Sequence, residues 1–190
     1  MKKNIFITGS TDGIGKLAAI EFAKDGHTVY LHGRNAEKLD RVIHEIKAMT
    51  QNNAVKGFVS DFSDLNAVQH MAAHCLETIP QLDVLVNNAG IFKSPIQMTK
   101  GQLDIRFSVN YLAPYIVTNT LLPLLEKGIN PRIINLSSAA QAPVSYDALT
   151  GKNQLNAQAA YAQSKLALTQ WSFYLAKVQP HISIIAGSPQ

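Results

Sequence analysis

The stretch that most constrains the fold of this chain lies at residues 8–15 and reads Thr-Gly-Ser-Thr-Asp-Gly-Ile-Gly. It follows a short β-branched apolar run at residues 5–7 and precedes a helical pattern at residues 16–24. A glycine turn between a strand and a helix lets a pyrophosphate approach the backbone at the positively polarised helix N-terminus. A glycine-rich turn without a ligand is the alternative, and the flanking strand and helix favour a nucleotide site over it.

The spacing of Gly9, Gly13 and Gly15 distinguishes this turn from two other phosphate-binding motifs. It reads Gly-x-x-x-Gly-x-Gly, whereas the commonest dinucleotide fingerprint reads Gly-x-Gly-x-x-Gly. No Gly-Lys-Ser or Gly-Lys-Thr closes the turn, so it is not a P-loop. We expect Gly9 to permit the tight turn, Gly13 to admit a pyrophosphate and Gly15 to let the helix pack closely on the strand.

Strand patterns alternate with helical patterns along the rest of the chain. Apolar runs predict six strands, at residues 4–8, 28–32, 55–60, 82–86, 132–136 and 181–186. Helices are predicted at residues 15–24, 36–49, 101–125 and 159–178, and a further one is capped by Ser63 or Asp64. We expect Asn35 to cap the second helix and Pro114 to kink the long fourth one, while residues 139–157 form a loop. This alternation predicts an α/β Rossmann fold, a doubly wound parallel sheet in the order 3-2-1-4-5-6, in a single domain over residues 1–190.

Composition excludes several other classes of protein. The net charge of +4 is spread along the chain without a basic stripe, so no nucleic-acid partner is expected. No uncharged apolar stretch is long enough for a membrane span, no signal peptide is visible, and the histidines lack metal-site spacing. The single cysteine, Cys75, cannot form an internal disulfide, which indicates a cytoplasmic protein.

The residue after the second strand bears on the choice of cofactor. Dinucleotide folds that bind NAD carry an acidic residue there, whereas this chain has Arg34, which can accommodate a 2′-phosphate. A guanidinium pairs with phosphate in a bidentate fork, so NADP is expected and NAD is the weaker alternative. A solvated surface charge is the other reading of Arg34, and nearby Asp12 weighs against the phosphate. Asp61, after the third strand, is either an adenine contact or a turn residue.

Tyr161 and Lys165 form the second notable pattern, because a four-residue spacing places both on one face of the predicted helix. A tyrosine is a poor acid–base group at neutral pH, and a nearby cation favours its ionised form. Hydride transfer at a carbonyl needs a proton donor or acceptor at the oxygen, which such a tyrosine can supply. Tyrosine–lysine pairs are common on helices, so the pair by itself decides nothing.

The motifs in their order resemble the short-chain dehydrogenase/reductase family. They are residues 8–15, the Asn-Asn-Ala-Gly at residues 87–90, Ser138 and Tyr161-x-x-x-Lys165, and they span nearly the whole chain. The resemblance implies that Ser138 orients the substrate oxygen and that Tyr161 is the general acid–base. It further implies that Lys165 holds the nicotinamide ribose and that Asn110 supports a water-linked proton path. The implied cofactor contacts, besides Tyr161 and Lys165, are Gly9, Thr11, Asp12, Gly13, Ile14, Gly15, Arg34, Asp61, Phe62, Asn88, Ala89 and Gly90.

Two departures from the family pattern shape the expected function. Tyr161 follows Ser138 by 23 positions, a long gap that resembles the retinol-dehydrogenase-like branch. The chain ends Gly-Ser-Pro-Gln at residues 187–190, with glutamine where the family has glycine, and so it resembles a truncated member that lacks the C-terminal substrate segment.

Three functions follow from this resemblance. The first is an NADP-dependent oxidoreductase that interconverts a small-molecule carbonyl and alcohol. The second is a cofactor-binding protein with poor or no turnover, because its substrate segment is missing. The third is a structural partner subunit, since the helices starting at residues 101 and 159 are those through which family members usually form a homo-oligomer. An exposed apolar edge on the sixth strand would also favour association.

Overall fold

The computed structural model describes residues 1–188, so the predicted departure at Pro189 and Gln190 lies outside the described residues. The strands are β1 (Asn4–Ile7), β2 (Thr28–Gly33), β3 (Val55–Val59), β4 (Val84–Asn87), β5 (Arg132–Leu136) and β6 (Ser183–Gly187). The helices are α1 (Gly13–Lys24), α2 (Ala36–Thr50), α3 (Leu65–Thr78), α4 (Ile105–Phe107), α5 (Ala113–Leu125), α6 (Tyr146–Leu149) and α7 (Ala157–Val178). A π-helical turn, Ser108–Leu112, joins α4 to α5.

The six strands form one parallel sheet in the order β3-β2-β1-β4-β5-β6. This confirms the predicted doubly wound Rossmann fold, including the reversal of strand order between β1 and β4. At that reversal the connections leave β1 and β4 toward opposite sides, which opens a crevice beyond their carboxyl ends.

The central strands of the sheet are covered on both faces, as in other parallel sheets, whereas no residue of the edge strand β6 is buried. One face packs against α3, α5 and α7 around Phe6, Leu85, Leu121, Leu168 and Trp171. The other packs against α1 and α2 around Ile5, Ile7, Leu31, Leu39 and Ile46. Within the described part of the chain, no helix combines the length and apolar character needed to cross a bilayer.

Side-chain caps fix the first residues of the helices α1, α2 and α3. Asn35 caps α2 by accepting from the Lys38 N–H at 2.8 Å, as predicted. Of the two residues considered for α3, Asp64 is the cap, and it accepts from the N–H groups of Asn66 and Ala67. Asp12 accepts from the Gly13 N–H, so α1 begins two residues before its predicted start, within the glycine turn itself.

The predicted helix at residues 101–125 is wrong in its first four residues, because helical structure begins only at Ile105. Residues 99–104 form a turn in which the Thr99 N–H donates to the Leu103 carbonyl, and the Asp104 carboxylate then caps α4 through the Arg106 N–H. Pro114 does not kink a continuous helix, because it lies in the first turn of α5 after the π-helical turn, where its missing N–H is tolerated. The predicted loop at 139–157 also contains the one-turn helix α6.

Asp83 links the start of β1 to the segment before β5 at the amino ends of the strands, and its substitution tests the fold. Its carboxylate is buried and accepts from the N–H groups of Asn4 and Ile129, each at 2.7 Å. Asp83→Ala leaves both donors without a partner, so we expect a loss of about 3 kcal/mol in the free energy of unfolding, measured with urea. Asp40→Ala, at an exposed position on α2, is the control and should change it by less than about 0.5 kcal/mol.

Candidate active site

Two adjoining cavities open at the carboxyl edge of the sheet. The larger, of about 600 Å³, is lined by the glycine turn and by the residues that follow β2, β3 and β4. The smaller, of about 190 Å³, is lined by the end of β5, Tyr161 and Lys165. Ile14, Asn88, Gly90 and Ile91 line both, so one elongated crevice crosses the switch point of the sheet.

The glycine turn has the shape of a cradle for a phosphate. Gly9 adopts a φ of +63°, and a Cβ there would lie 2.8 Å from the Ala89 Cα. A Cβ on Gly15 would collide with the Asn88 side chain and the Gly9 carbonyl, so a side chain is excluded at both positions. A Cβ on Gly13, in contrast, would meet no atom within 4 Å, because this glycine faces the open cavity. The turn therefore fits a dinucleotide pyrophosphate at the start of α1.

Thr8 and Asn88 lock this turn to the end of β4. The Thr8 Oγ1 accepts from the N–H groups of Asn88 and Ala89, each at 3.0 Å. In return the Asn88 Nδ2 donates to the carbonyls of Thr8 at 2.8 Å and Gly9 at 3.0 Å. The side chain of Asn88 is thus used within the protein, and it shapes the cofactor cradle instead of extending into it.

Charges at the mouth of the larger cavity are arranged around Arg34. Its side chain is exposed and makes no hydrogen bond or ion pair with any of residues 1–188. Asp12, which weighed against a phosphate here, binds the Lys38 Nζ at 2.7 Å. That hydrogen bond, together with the one from the Gly13 N–H, lowers the pKa of the Asp12 carboxyl. Because Lys38 offsets the charge of Asp12, Arg34 is left free for an anionic group.

Asp61 and Phe62 follow β3 at the same end of the cavity. The Asp61 Oδ1 accepts from the Ser63 N–H at 2.9 Å, which is the turn arrangement considered as its alternative. Phe62 is buried and stacks on the His32 ring, with the ring centroids 4.1 Å apart.

His32 is a residue of this site that sequence reasoning missed. Its Nδ1 accepts from the Gly9 N–H at 3.0 Å, so its Nε2 carries the proton and donates to the Ser60 carbonyl at 3.0 Å. Burial lowers the pKa of the His32 imidazole to about 4, which keeps it neutral at pH 7. A single histidine in an otherwise ordinary strand pattern carries no signal that it supports a neighbouring turn.

Tyr161 and Lys165 meet at the smaller cavity, one turn apart on α7. The Lys165 Nζ lies 5.8 Å from the centroid of the Tyr161 ring and donates to the Leu136 carbonyl at 2.6 Å. Burial lowers the pKa of Lys165 to about 8. A Cβ on Gly90 would lie 3.4 Å from this Nζ, so the glycine leaves the ammonium open to the crevice.

The two serines after β5 differ in what they bind. The Ser137 hydroxyl is buried and bonds the Lys165 carbonyl at 3.2 Å and the Thr169 Oγ1 at 2.6 Å. Ser138 is half-buried, and its Oγ accepts from the Ala140 N–H at 3.2 Å. Of the two serines, Ser137 lines the smaller cavity and Ser138 does not. The Ser137 hydroxyl already has an acceptor, whereas the Ser138 O–H has none among residues 1–188.

Asn110 lies in the π-helical turn and joins three parts of the site. Its Oδ1 accepts from the Ile91 N–H at 2.8 Å, and its Nδ2 donates to the Ile91 carbonyl at 3.0 Å and to the Ser164 Oγ at 3.0 Å. The Ser164 Oγ donates in turn to the Tyr161 carbonyl at 2.7 Å. The Asn110 amide is therefore fully used in holding the loop after β4 against α7.

The fold and this crevice define a dinucleotide-binding α/β domain with a tyrosine–lysine pair beside the cofactor cradle. The model of the short chain dehydrogenase family matches residues 3–189. The chain therefore belongs to the short-chain dehydrogenase family, as the resemblance implied.

Known relatives show the same relationship. Human retinol dehydrogenase 13 is 34% identical over 178 residues, which are 92% of this chain and 54% of that protein. Human polyprenol dehydrogenase is 34% identical over 179 residues, 90% of this chain and 54% of that protein. A short-chain dehydrogenase from Escherichia coli CFT073, solved in complex with NADPH, superposes with a TM-score of 0.79 at 29% identity, covering 98% of this chain and 76% of that one. The chain spans about half the length of the curated relatives it matches.

The buried charge of Lys165 predicts an unusual pH dependence of stability. Its pKa falls from 10.5 to about 8 on folding, so below pH 8 both states are protonated and the cost of burying the cation is fully present. Between pH 8 and 10.5 the unfolded state binds more protons at this residue, so the contribution of Lys165 to wild-type stability rises with pH. Lys165→Met lacks this group, and its stability relative to wild type should fall by on the order of 3 kcal/mol across that window.

Urea unfolding at several pH values between 7 and 10.5 measures this difference. Lys177→Met, at an exposed position of the same helix, is the control and should differ from wild type by the same amount at every pH. A pH-independent difference for Lys165→Met would show that Lys165 titrates as an ordinary surface lysine.

Proposed function

We propose that this protein is an NADP(H)-dependent oxidoreductase that interconverts a carbonyl and an alcohol by hydride transfer. The observation that carries the proposal is the placement of Tyr161 and the buried Lys165 at the inner end of a crevice whose outer end is the glycine cradle. NADP(H) supplies the hydride when bound, and the protein supplies orientation and a proton. The NADPH-bound E. coli relative supports this choice of cofactor.

The cofactor-binding residues divide the crevice into three parts. Thr11, Gly13 and Ile14 line the cavity and bind the pyrophosphate, while Gly9 and Gly15 keep the turn close to the end of β4. Arg34 binds the 2′-phosphate. Asp61 and Phe62 flank the adenine end, and the segment from Asn88 to Gly90 borders the nicotinamide ribose. His32 accepts from the Gly9 N–H and so fixes the first residue of the glycine turn.

At the inner end, three side chains have separate roles. Ser138 donates its free O–H to the substrate oxygen and orients it. Tyr161 gives or takes the proton at that oxygen, since its ring borders the smaller cavity. The Lys165 ammonium stabilises the charge that develops on the tyrosine oxygen and binds the ribose hydroxyls. Asn110 has a positioning role, because its amide binds Ile91 and Ser164 and so holds the loop after β4 against α7.

We further propose a cytoplasmic homo-oligomer. The single cysteine, Cys75, is a buried free thiol, which suits a reducing compartment. Phe173 and Tyr174 on α7 and Tyr115 on α5 are exposed large apolar side chains, and they lie on the two long helices that a second copy could cover.

Arg34 tests the choice of cofactor. Arg34→Ser should weaken NADPH binding about tenfold or more and leave NADH binding nearly unchanged, because a charge-assisted phosphate contact contributes about 1.5–3 kcal/mol. Cofactor fluorescence titrations measure both dissociation constants, and Arg41→Ser on the exposed face of α2 is the matched control. Equal affinities of the wild-type protein for NADPH and NADH would contradict the proposed role of Arg34 as the ligand of the 2′-phosphate.

Tyr161 tests the chemistry. Tyr161→Phe should lower kcat by at least about a hundredfold against a panel of aldehydes and ketones, while the NADPH dissociation constant stays within about twofold. Tyr174→Phe, exposed on the same helix, should behave as wild type. Wild-type protein that binds NADPH but reduces no member of the panel would instead identify a cofactor-binding protein without turnover.

A further inference from the structure

Arg106 is the largest fully buried side chain of the described residues, with 1% of its surface exposed. Its Nη1 donates to both oxygens of Asp104 at 3.2 and 3.3 Å, and its Nη2 donates to the Gln97 Oε1 at 2.8 Å. Its Nε donates to the Phe92 carbonyl at 2.9 Å. A buried ion pair contributes little to stability compared with apolar side chains of similar volume. Its specific effect is to fix the backbone of Phe92.

The backbone before Phe92 is fixed from the same helical segment. Asn110, four residues after Arg106, binds both the N–H and the carbonyl of Ile91. Two side chains one turn apart therefore hold two successive residues of the loop that follows Gly90. This loop is thus clamped at the point where it passes the smaller cavity.

The ring of Phe92 meets the ring of Tyr161 edge to face, with centroids 5.1 Å apart and an angle of 69° between the planes. The Tyr161 hydroxyl makes no hydrogen bond with any of residues 1–188, so no polar contact there orients the ring. Phe92 is 44% exposed and lines the cavity, so its own placement depends on its backbone. The Tyr161 ring is therefore in contact with a residue whose backbone Arg106 holds in place.

We propose that Arg106 and Phe92 are positioning residues for Tyr161. Arg106 fixes the Phe92 backbone, and the Phe92 ring holds the tyrosine ring at the reacting end of the crevice. The catalytic consequence rests on the proposed function, whereas the placement of the tyrosine ring does not. Arg106→Lys tests the proposal, because lysine keeps a charge opposite Asp104 but lacks the planar fork that serves three acceptors at once.

The first test needs no turnover. Protein labelled with 3-fluorotyrosine is compared by fluorine NMR, and the Tyr161 resonance among the six tyrosines is assigned with Tyr161→Phe. Arg106→Lys and Phe92→Leu should each move that resonance beyond its wild-type linewidth. Asp83→Asn replaces a buried carboxylate at the amino ends of the strands, on the side of the sheet opposite the crevice. This control should leave the Tyr161 resonance at its wild-type position. An unmoved resonance in Arg106→Lys overturns the proposal.

The second test measures whether Arg106 affects turnover through Phe92. Phe92→Leu and Arg106→Lys should each lower kcat about tenfold, with the NADPH dissociation constant within about twofold of wild type. The double variant should be no slower than the slower single variant, because both changes act through one contact. Additive losses, about a hundredfold in the double variant, would show that Arg106 does not act through Phe92.

The two tests also separate this inference from the proposed function. If wild-type protein reduces no substrate, the proposed function fails, and the fluorine resonance alone decides whether Arg106 positions the tyrosine. If Arg106→Lys lowers the unfolding midpoint and nothing else, its role is structural only and the proposal is wrong.

Discussion

The site depends on one close backbone contact, between the turn after β1 and the end of β4. At Gly9 and Gly15 the two segments approach so closely that a single methyl group would force them apart. Thr8 and Asn88 then close the contact with four hydrogen bonds, so the two central strands of the sheet end in one rigid unit. The crevice lies directly beyond this unit. Its outer cradle and its inner cavity therefore keep their positions relative to each other.

Sequence patterns predicted this framework well because they report short-range physics. The strand order, the caps of α2 and α3, and the placement of motifs at one sheet edge follow from periodicity, from local hydrogen bonding and from the handedness of β-α-β units. Where local signals compete, prediction failed. The apolar pattern at residues 101–125 predicts a helix that starts at residue 101, whereas the hydrogen bonds of the turn at residues 99–104 delay the start to Ile105. The π-helical turn that places Asn110 has no local signature either.

Arg106 and His32, which support the site through hydrogen bonds, could not be predicted from the sequence because their partners are distant in sequence. Arg106 acts on a carbonyl 14 residues away, and His32 acts on an N–H 23 residues away. In a sequence each is a polar residue within an apolar pattern, and only burial and a fixed hydrogen-bond geometry show what it does. The motif residues, in contrast, were found through a family resemblance that their own spacing carries.

The buried ionisable side chains of the site are in two different electrostatic states, and this difference follows from their partners. His32 has a backbone donor on one nitrogen and a backbone acceptor on the other, so burial keeps it neutral and it can act only as a fixed support. The Lys165 ammonium donates to one carbonyl and is otherwise buried, so its charge is costly in the folded state. Ribose hydroxyls or a phenolate oxygen would supply the missing partners. Burial of Lys165 thus costs stability at neutral pH, and in the proposed mechanism the same ammonium uses its remaining donors on groups that enter the crevice.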